Sequence, residues 1–404
     1  MGHRIIFATP AWHLSGVNTM TAKLAHALQQ QGHEVKILLT RPDASEHHQY
    51  SVDGDLVFEH LSLPANATFP VIWKSLHEHL RDRAPCVFFP GYDFENSTVC
   101  PALPPGVATI GVLHSDEGYY FEMTQRVGAS WNRIVGVSSF LSEFVRQKHP
   151  QWADKTVYIP YGVDLPTHPP PDRPSSGPLH VIIAGRVSRY QKRIDDLPAV
   201  LDHLAALETP IHMAVVGSGP DLDETIAACR RHIEERRISF TGALSNSETV
   251  ALFERQHAIL MLSEFEGLPL VLLEAMARGC VPVTSAIRSG IPELVHDGKT
   301  GYQFPIGDTR ACAERLHRLA TDDRASVSAM SRSAAAHIAQ GPYSTQTMVG
   351  SYLQIINETI EEASRNQSPG RTGRMMPPPQ LHPIRRWRVA ASRFVRRFLK
   401  KRKP

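Results

Sequence analysis

No CxxC pair occurs in the 404 residues; the five cysteines, Cys86, Cys100, Cys229, Cys280 and Cys312, are scattered singly. That spacing excludes a zinc ribbon and a disulfide framework, and it fits reduced thiols in a cytosolic protein. No apolar run approaches the ~20 residues that a bilayer span needs, which argues against a membrane-spanning chain. The chain enters an apolar strand at Arg4-Ile5-Ile6-Phe7-Ala8, leaving no room for a signal peptide, so a cytoplasmic location is expected. The loop after that strand, Pro10–Gly16, has no GxGxxG, which disfavours a nicotinamide dehydrogenase. Acidic residues are missing from Arg371–Pro404, which carries twelve Lys and Arg; with +3 for the whole chain, residues 1–370 carry −9. An acidic body with a basic tail argues against specific nucleic-acid binding by the main fold.

What is present is enough apolar sequence, 42% of residues, to bury two cores of ordinary size. Residues 4–40 read as strand (Ile5–Thr9), loop, helix (Met20, Leu24, Ala27 and Leu28 at helical spacing, Gly32 as a stop) and strand (Val35–Leu39). Such a βαβ opening implies a doubly wound parallel sheet. Further strands are expected at Leu56–Phe58, Val87–Phe89, Thr109–Leu113 and Arg133–Val137. Residues 166–178 are proline-rich and form a semi-rigid linker between a first domain, 1–165, and a second, 179–345. In the second, Leu179–Ala184, Met213–Val216, Ile238–Phe240, Ala258–Leu262 and Val281–Thr284 read as strands and Leu197–Leu207 as a helix, repeating the architecture without repeating the sequence. A helix is expected over Tyr343–Ser364.

Beyond it, residues 366–404 comprise a polar, Pro-rich spacer and a basic tail. Ile384, Trp387, Ala391, Phe394, Val395, Phe398 and Leu399 share one helical face, with most arginines opposite. That arrangement suits a helix lying on an anionic membrane surface; a basic tail that contacts RNA or nothing is the alternative.

The chemistry concentrates at carboxyl ends of strands in the second half, where doubly wound sheets bind ligands. After Ala258–Leu262 comes Ser263-Glu264-Phe265-Glu266-Gly267-Leu268-Pro269-Leu270, and a helix opens near Pro269. Free amides and the dipole of its first turn suit a diphosphate or its sugar. Glu266 in the loop and Glu274 inside the helix supply carboxylates for sugar and ribose hydroxyls. After Leu179–Ala184, the loop Gly185-Arg186-Val187-Ser188-Arg189-Tyr190-Gln191-Lys192 supplies two cations that could neutralise a departing diphosphate, as a metal does elsewhere. Gly217-Ser218-Gly219-Pro220 reads as a strand-ending turn. Asp53-Gly54-Asp55 invites a metal reading, but it stands in a turn-forming stretch without nearby ligands, and His47-His48, His77 and His79 lack zinc pairing; no metal is expected.

These segments, with Gly290-Ile291-Pro292-Glu293-Leu294-Val295 and Asp297-Gly298-Lys299-Thr300-Gly301, resemble glycosyltransferase family 4, the retaining GT-B group, over most of residues 1–345. The glutamate pair eight residues apart is that family's signature. The resemblance implies two Rossmann-like domains facing across a cleft, and a final helix, 343–364, crossing back onto the first. It assigns Glu266 to the donor sugar, Glu274 to the ribose, Arg186 and Lys192 to the diphosphate, and the segment Gly267, Leu268, Pro269 and Leu270, through its amides, to the hydroxyls of the donor sugar. Gly16, in Ser15-Gly16-Val17, matches the glycine loop after the first strand, and His114 matches a histidine that faces the donor sugar. Pro160-Tyr161-Gly162-Val163-Asp164 matches the domain-boundary Pro-Asn-Gly-Val-Asp, with tyrosine for asparagine. The implied activity is retaining, metal-independent hexosyl transfer from a UDP- or GDP-sugar, as co-substrate, to a glycan or lipid-linked acceptor. Its rivals are a GT-B nucleotide-sugar epimerase and a non-catalytic nucleotide-sugar-binding protein.

Overall fold

The computed structural model describes residues 2–13, 15–41, 56–91, 93–171, 173, 177–364, 370–374 and 376. Asp53-Gly54-Asp55, His47-His48 and the amphipathic stretch of the tail lie outside the described residues. The first domain holds β1 (Arg4–Thr9), β2 (Glu34–Leu39), β3 (Val57–His60), β4 (Cys86–Phe89), β5 (Val107–Leu113), β6 (Arg133–Gly136) and β7 (Thr156–Tyr158). They form one parallel sheet in the order β3-β2-β1-β4-β5-β6-β7. The second domain holds β8 (Leu179–Ala184), β9 (Ile211–Val216), β10 (Ile238–Gly242), β11 (Ala258–Met261), β12 (Val281–Ser285) and β13 (Tyr302–Phe304), in the order β10-β9-β8-β11-β12-β13. Both sheets reverse direction beside their first strand, so each has a switch-point crevice at its carboxyl edge. The central strands of the first sheet are deeply buried between covering helices; every residue of β4, β5 and β6 is buried.

The linker is not a loose tether. The Arg173 guanidinium bonds the carbonyls of Gln256, Phe253 (3.3 Å) and Arg278 (2.6 Å), at the carboxyl ends of the Asn246–Phe253 and Leu270–Ala277 helices. Carbonyls there lack intrahelical partners, so one planar cation satisfies three of them and pins the linker to the second domain.

A helix spans Thr345–Ser364 and packs against the first domain. At its start Val163 donates to the Tyr343 carbonyl (2.9 Å) and Thr345 to the Val163 carbonyl (3.0 Å), stitching the two chain crossings together. Its far end is held by Arg133, which grips Glu362 bidentately with two 2.6 Å bonds. Met348, Tyr352, Ile355 and Ile356 bury its apolar face in the same core as β1, β4 and β5. The described part of the spacer is anchored. Arg371 reaches the carbonyls of Leu103 (3.1 Å), Pro104 and Val107 (2.5 Å), and Gly373 donates to the Pro101 carbonyl, so this part lies against the first domain.

Candidate active site

The two crevices face one another, and the sequence-selected residues converge between them. Glu266 is buried and its carboxylate is surrounded by donors: Lys192 Nζ at 2.5 Å, Ser263 Oγ at 2.8 Å and Gln191 Nε2 at 3.2 Å. Two separate loops, one after β8 and one after β11, are thereby tied into one wall. Arg186, Lys192 and Ser263 line the same pocket, together with Gly185 and Val187. Arg186 is exposed and makes no hydrogen bond or ion pair among the described residues, so its guanidinium is available to an anion.

The β8 loop rests on the turn the sequence suggested was only punctuation. Gly217 has φ +143°, and a Cβ there would sit 1.9 Å from the Gly185 carbonyl oxygen. Val187 donates to the Ser218 carbonyl at 3.0 Å. The Gly217-Ser218-Gly219 turn is therefore the platform on which the cationic loop lies.

Pro269 caps the Leu270–Ala277 helix without a side-chain hydrogen bond, leaving first-turn amides such as those of Leu270 and Val271 without a capping group. Gly16 opens the first domain's Gly16–Gln30 helix directly opposite; its Cβ position would lie 3.7 Å from Leu270 Cδ1. Glu274 is buried one turn into its helix, where burial raises its pKa and Lys23 and Asn246 oppose the rise; Asn246 donates to it at 3.3 Å.

From the first domain comes His114, at the end of β5. Its Nδ1 is 2.6 Å from the Tyr161 hydroxyl, so Nε2 is the ring nitrogen left for a ligand. Burial holds its pKa down at about 3. An unfolded histidine titrates near 6.5, so the unfolded chain takes up the proton first. This site's share of stability is therefore complete above about pH 6.5 and is lost as pH falls toward 3. Through pH 5–8 the ring is neutral. A His114→Asn variant should lose about tenfold in rate, the value of one hydrogen bond to a bound ligand, while its pH–rate limbs stay where the wild type has them. Disappearance of a limb would show that His114 titrates in turnover.

The domains meet at this point. The amide of Asp116 donates to the Glu266 carbonyl (3.2 Å), and Arg288 Nε donates to Asp116 Oδ2 (3.2 Å). Tyr190, in the cationic loop, donates to Glu117 at 2.8 Å, and Ser138 and Ser289 pair at 2.8 Å. Burial raises the Asp116 pKa, with Arg288 opposing and Glu266 reinforcing the rise.

Both halves match known families. The family model described as glycosyl transferases group 1 matches residues 167–337, and that described as glycosyltransferase family 4 matches residues 14–166. The chain belongs to glycosyltransferase family 4. Glycogen synthase of Mycobacterium tuberculosis is 32% identical over 202 residues, which is 50% of this chain and 48% of that protein. The chain thus aligns with about half the length of that curated relative. Sucrose-phosphate synthase from Thermosynechococcus elongatus superposes with a TM-score of 0.72 at 17% identity, over 89% of this chain and 99% of that one. HepE of Anabaena, in complex with UDP-glucose, gives 0.68 at 15% identity, over 88% and 99%. The fold of this family 4 member is GT-B.

Several contributors went unassigned at the level of sequence. Gln191 and Ser263 sit inside the quoted motifs but carry no signal of their own. Asn246 lies far upstream of Glu274 and carries none either. Among the described residues no group of three or more His, Cys, Asp and Glu is placed to hold a metal, and no helix is long and apolar enough to cross a membrane.

Proposed function

We propose that the chain is a retaining glycosyltransferase that moves a hexose from a UDP- or GDP-sugar to a hydroxyl of a glycan or lipid-linked acceptor without a metal ion. The observation that carries this reading is the convergence of Arg186 and Lys192 on one pocket, with Lys192 paired to the buried Glu266 at 2.5 Å. The donor's diphosphate lies against Arg186, Lys192 and the amides that open the Leu270–Ala277 helix. Its sugar lies between Glu266 and His114, and its ribose near Glu274. The bond from the anomeric carbon to the phosphate oxygen breaks, and the acceptor oxygen bonds to that carbon on the same face. The acceptor's proton passes to the departing phosphate oxygen. Fixed cations and amides stabilise the charge that develops there, and domain contact excludes water. HepE, with the same fold, was solved with UDP-glucose, and the glycogen synthase relative is named for assembling a glycan; both support this class of donor and acceptor.

A thermal-shift panel of UDP-, GDP- and ADP-sugars with and without EDTA tests it. At a hundredfold excess over Kd the matching donor should stabilise the fold by about 2.7 kcal/mol, a rise of a few degrees, unchanged by EDTA. Stabilisation that vanishes on chelation overturns the metal-free step.

The basic tail extends the same proposal to a lipid-linked acceptor at an anionic membrane surface. Because Arg371 and Met376 lie on the first domain, the informative truncation ends after Met376. On vesicles containing phosphatidylserine the full chain should pellet at least about tenfold more than that truncation, as expected from ~1 kcal/mol per basic residue near the surface. Equal pelleting removes the membrane from the account.

A further inference from the structure

His114 has an unusual neighbour for its family. Where the domain-boundary motif ordinarily has asparagine, this chain has Tyr161, and its hydroxyl lies 2.6 Å from His114 Nδ1. Both side chains are buried, and the rings lie nearly parallel, with 28° between their planes. Tyr120 closes a second side of the imidazole at 72°, and Gly267 abuts the His114 carbonyl from the other domain. The imidazole is held on several sides, and among the described residues only its Nδ1 has a hydrogen-bond partner.

The chemistry of that bond fixes a proton. A buried hydroxyl hydrogen without an acceptor costs free energy, so it goes to whatever acceptor is in reach. Among the described residues the Tyr161 hydroxyl has one partner, His114 Nδ1. The nearby Tyr352 hydroxyl is itself without a partner and forms no bond with it. Burial, together with Tyr120, Tyr352 and Glu266 close by, raises the Tyr161 pKa far above the ordinary range, so the phenol keeps its hydrogen. An asparagine could turn either its carbonyl or its amide toward the ring and would accept either tautomer. A phenol with nowhere else to donate accepts one.

We propose that Tyr161 is a positioning residue that donates its hydroxyl hydrogen to Nδ1 of His114, holds the ring as the neutral Nε2–H tautomer, and so presents the bound sugar with an N–H donor. The role assigned to the sugar rests on the glycosyltransferase reading of the cleft; the tautomer does not. An N–H directed at the donor favours a hydroxyl or ring oxygen that can accept, and discriminates against a sugar offering only a donor at that position.

Ring-15N-histidine labelling of the full chain, with His114 assigned by difference against His114→Gln, reads the tautomer directly. In the wild type, Nε2 should carry the hydrogen and Nδ1 should be the unprotonated nitrogen. In Tyr161→Phe the His114 signals should move to a mixture or to the Nδ1–H form. A wild-type ring protonated at Nδ1, or a tautomer unchanged in Tyr161→Phe, overturns the proposal. The wild-type tautomer is read without Tyr161→Phe, so a Tyr161→Phe chain that fails to fold does not leave the question open. On the ligand side, Tyr161→Phe should weaken UDP-glucose or GDP-mannose, whichever binds, by about 5–10-fold while leaving the affinity for the matching free nucleoside diphosphate within about twofold. Equal weakening of both ligands marks a merely structural residue and also overturns it. Failure of the glycosyltransferase reading shows itself separately, as no stabilisation of the wild type by any nucleotide sugar, and the ring spectra then still decide the tautomer.

Discussion

Replacing Arg186 by alanine should lower turnover about 10²–10³-fold, the usual loss when one fixed group opposite a developing charge is removed. The fold should be untouched. Arg186 is exposed and partnerless among the described residues, so nothing in the protein loses a bond when it goes. Lys192→Ala should cost turnover by a similar factor and also destabilise the chain by about 1–3 kcal/mol, because Glu266 is left buried with its nearest cation gone. The contrast is diagnostic. A residue acting only on the departing diphosphate changes the rate and not the melting temperature; a residue that also neutralises a buried carboxylate changes both. On the proposed mechanism the two cations serve one leaving group, so the double variant should lose less than the product of the single losses. Steady-state kinetics and thermal melts on the three variants measure this, and Arg186→Ala turning over within about threefold of the wild type would remove the diphosphate from this pocket.

Much of the architecture was legible because its signals are long-range in effect but local in sequence. A doubly wound sheet requires buried apolar strands, and Leu179–Ala184, Val87–Phe89 and Val281–Thr284 announce themselves by short, mainly apolar stretches. β7 and β13 have three residues each, too few to establish a pattern, and they sit at sheet edges where neighbouring strands supply the context. The site was legible where a motif gathers its own parts, as between Ser263 and Glu274. It was not legible where parts meet only through folding. Arg371 reads as one more cation of a polar spacer, yet it finds backbone carbonyls of the first domain that no sequence pattern advertises. Tyr161 reads as a substitution in a boundary motif, and its relation to His114, 47 residues away, exists only because β5 and the end of β7 deliver both to one point.

Gly267→Ala should be the more damaging change relative to its size, lowering turnover by about 10² or more with free nucleotide still bound. A methyl group there would stand 2.1 Å from the His114 carbonyl oxygen and 2.7 Å from its carbon, both backbone atoms of the opposite domain. No side chain can rotate aside to make room. Either β5, buried along its whole length, shifts or the domains stand apart, and separation is the expected response because the neighbouring Asp116–Arg288 and Tyr190–Glu117 contacts that it breaks are polar and partly exposed. Separation breaks the Asp116 amide bond to Glu266 and carries His114 away from Gly267, while Arg186, Lys192 and the helix amides stay together on the second domain. The variant should therefore bind the nucleoside diphosphate nearly as the wild type does and fail at transfer, since a displacement of about 1 Å at reacting groups costs about 10²-fold. Turnover in Gly267→Ala within about threefold of the wild type would mean that contact between these two backbones is not the reactive arrangement, and that transfer proceeds with the domains further apart than they stand here.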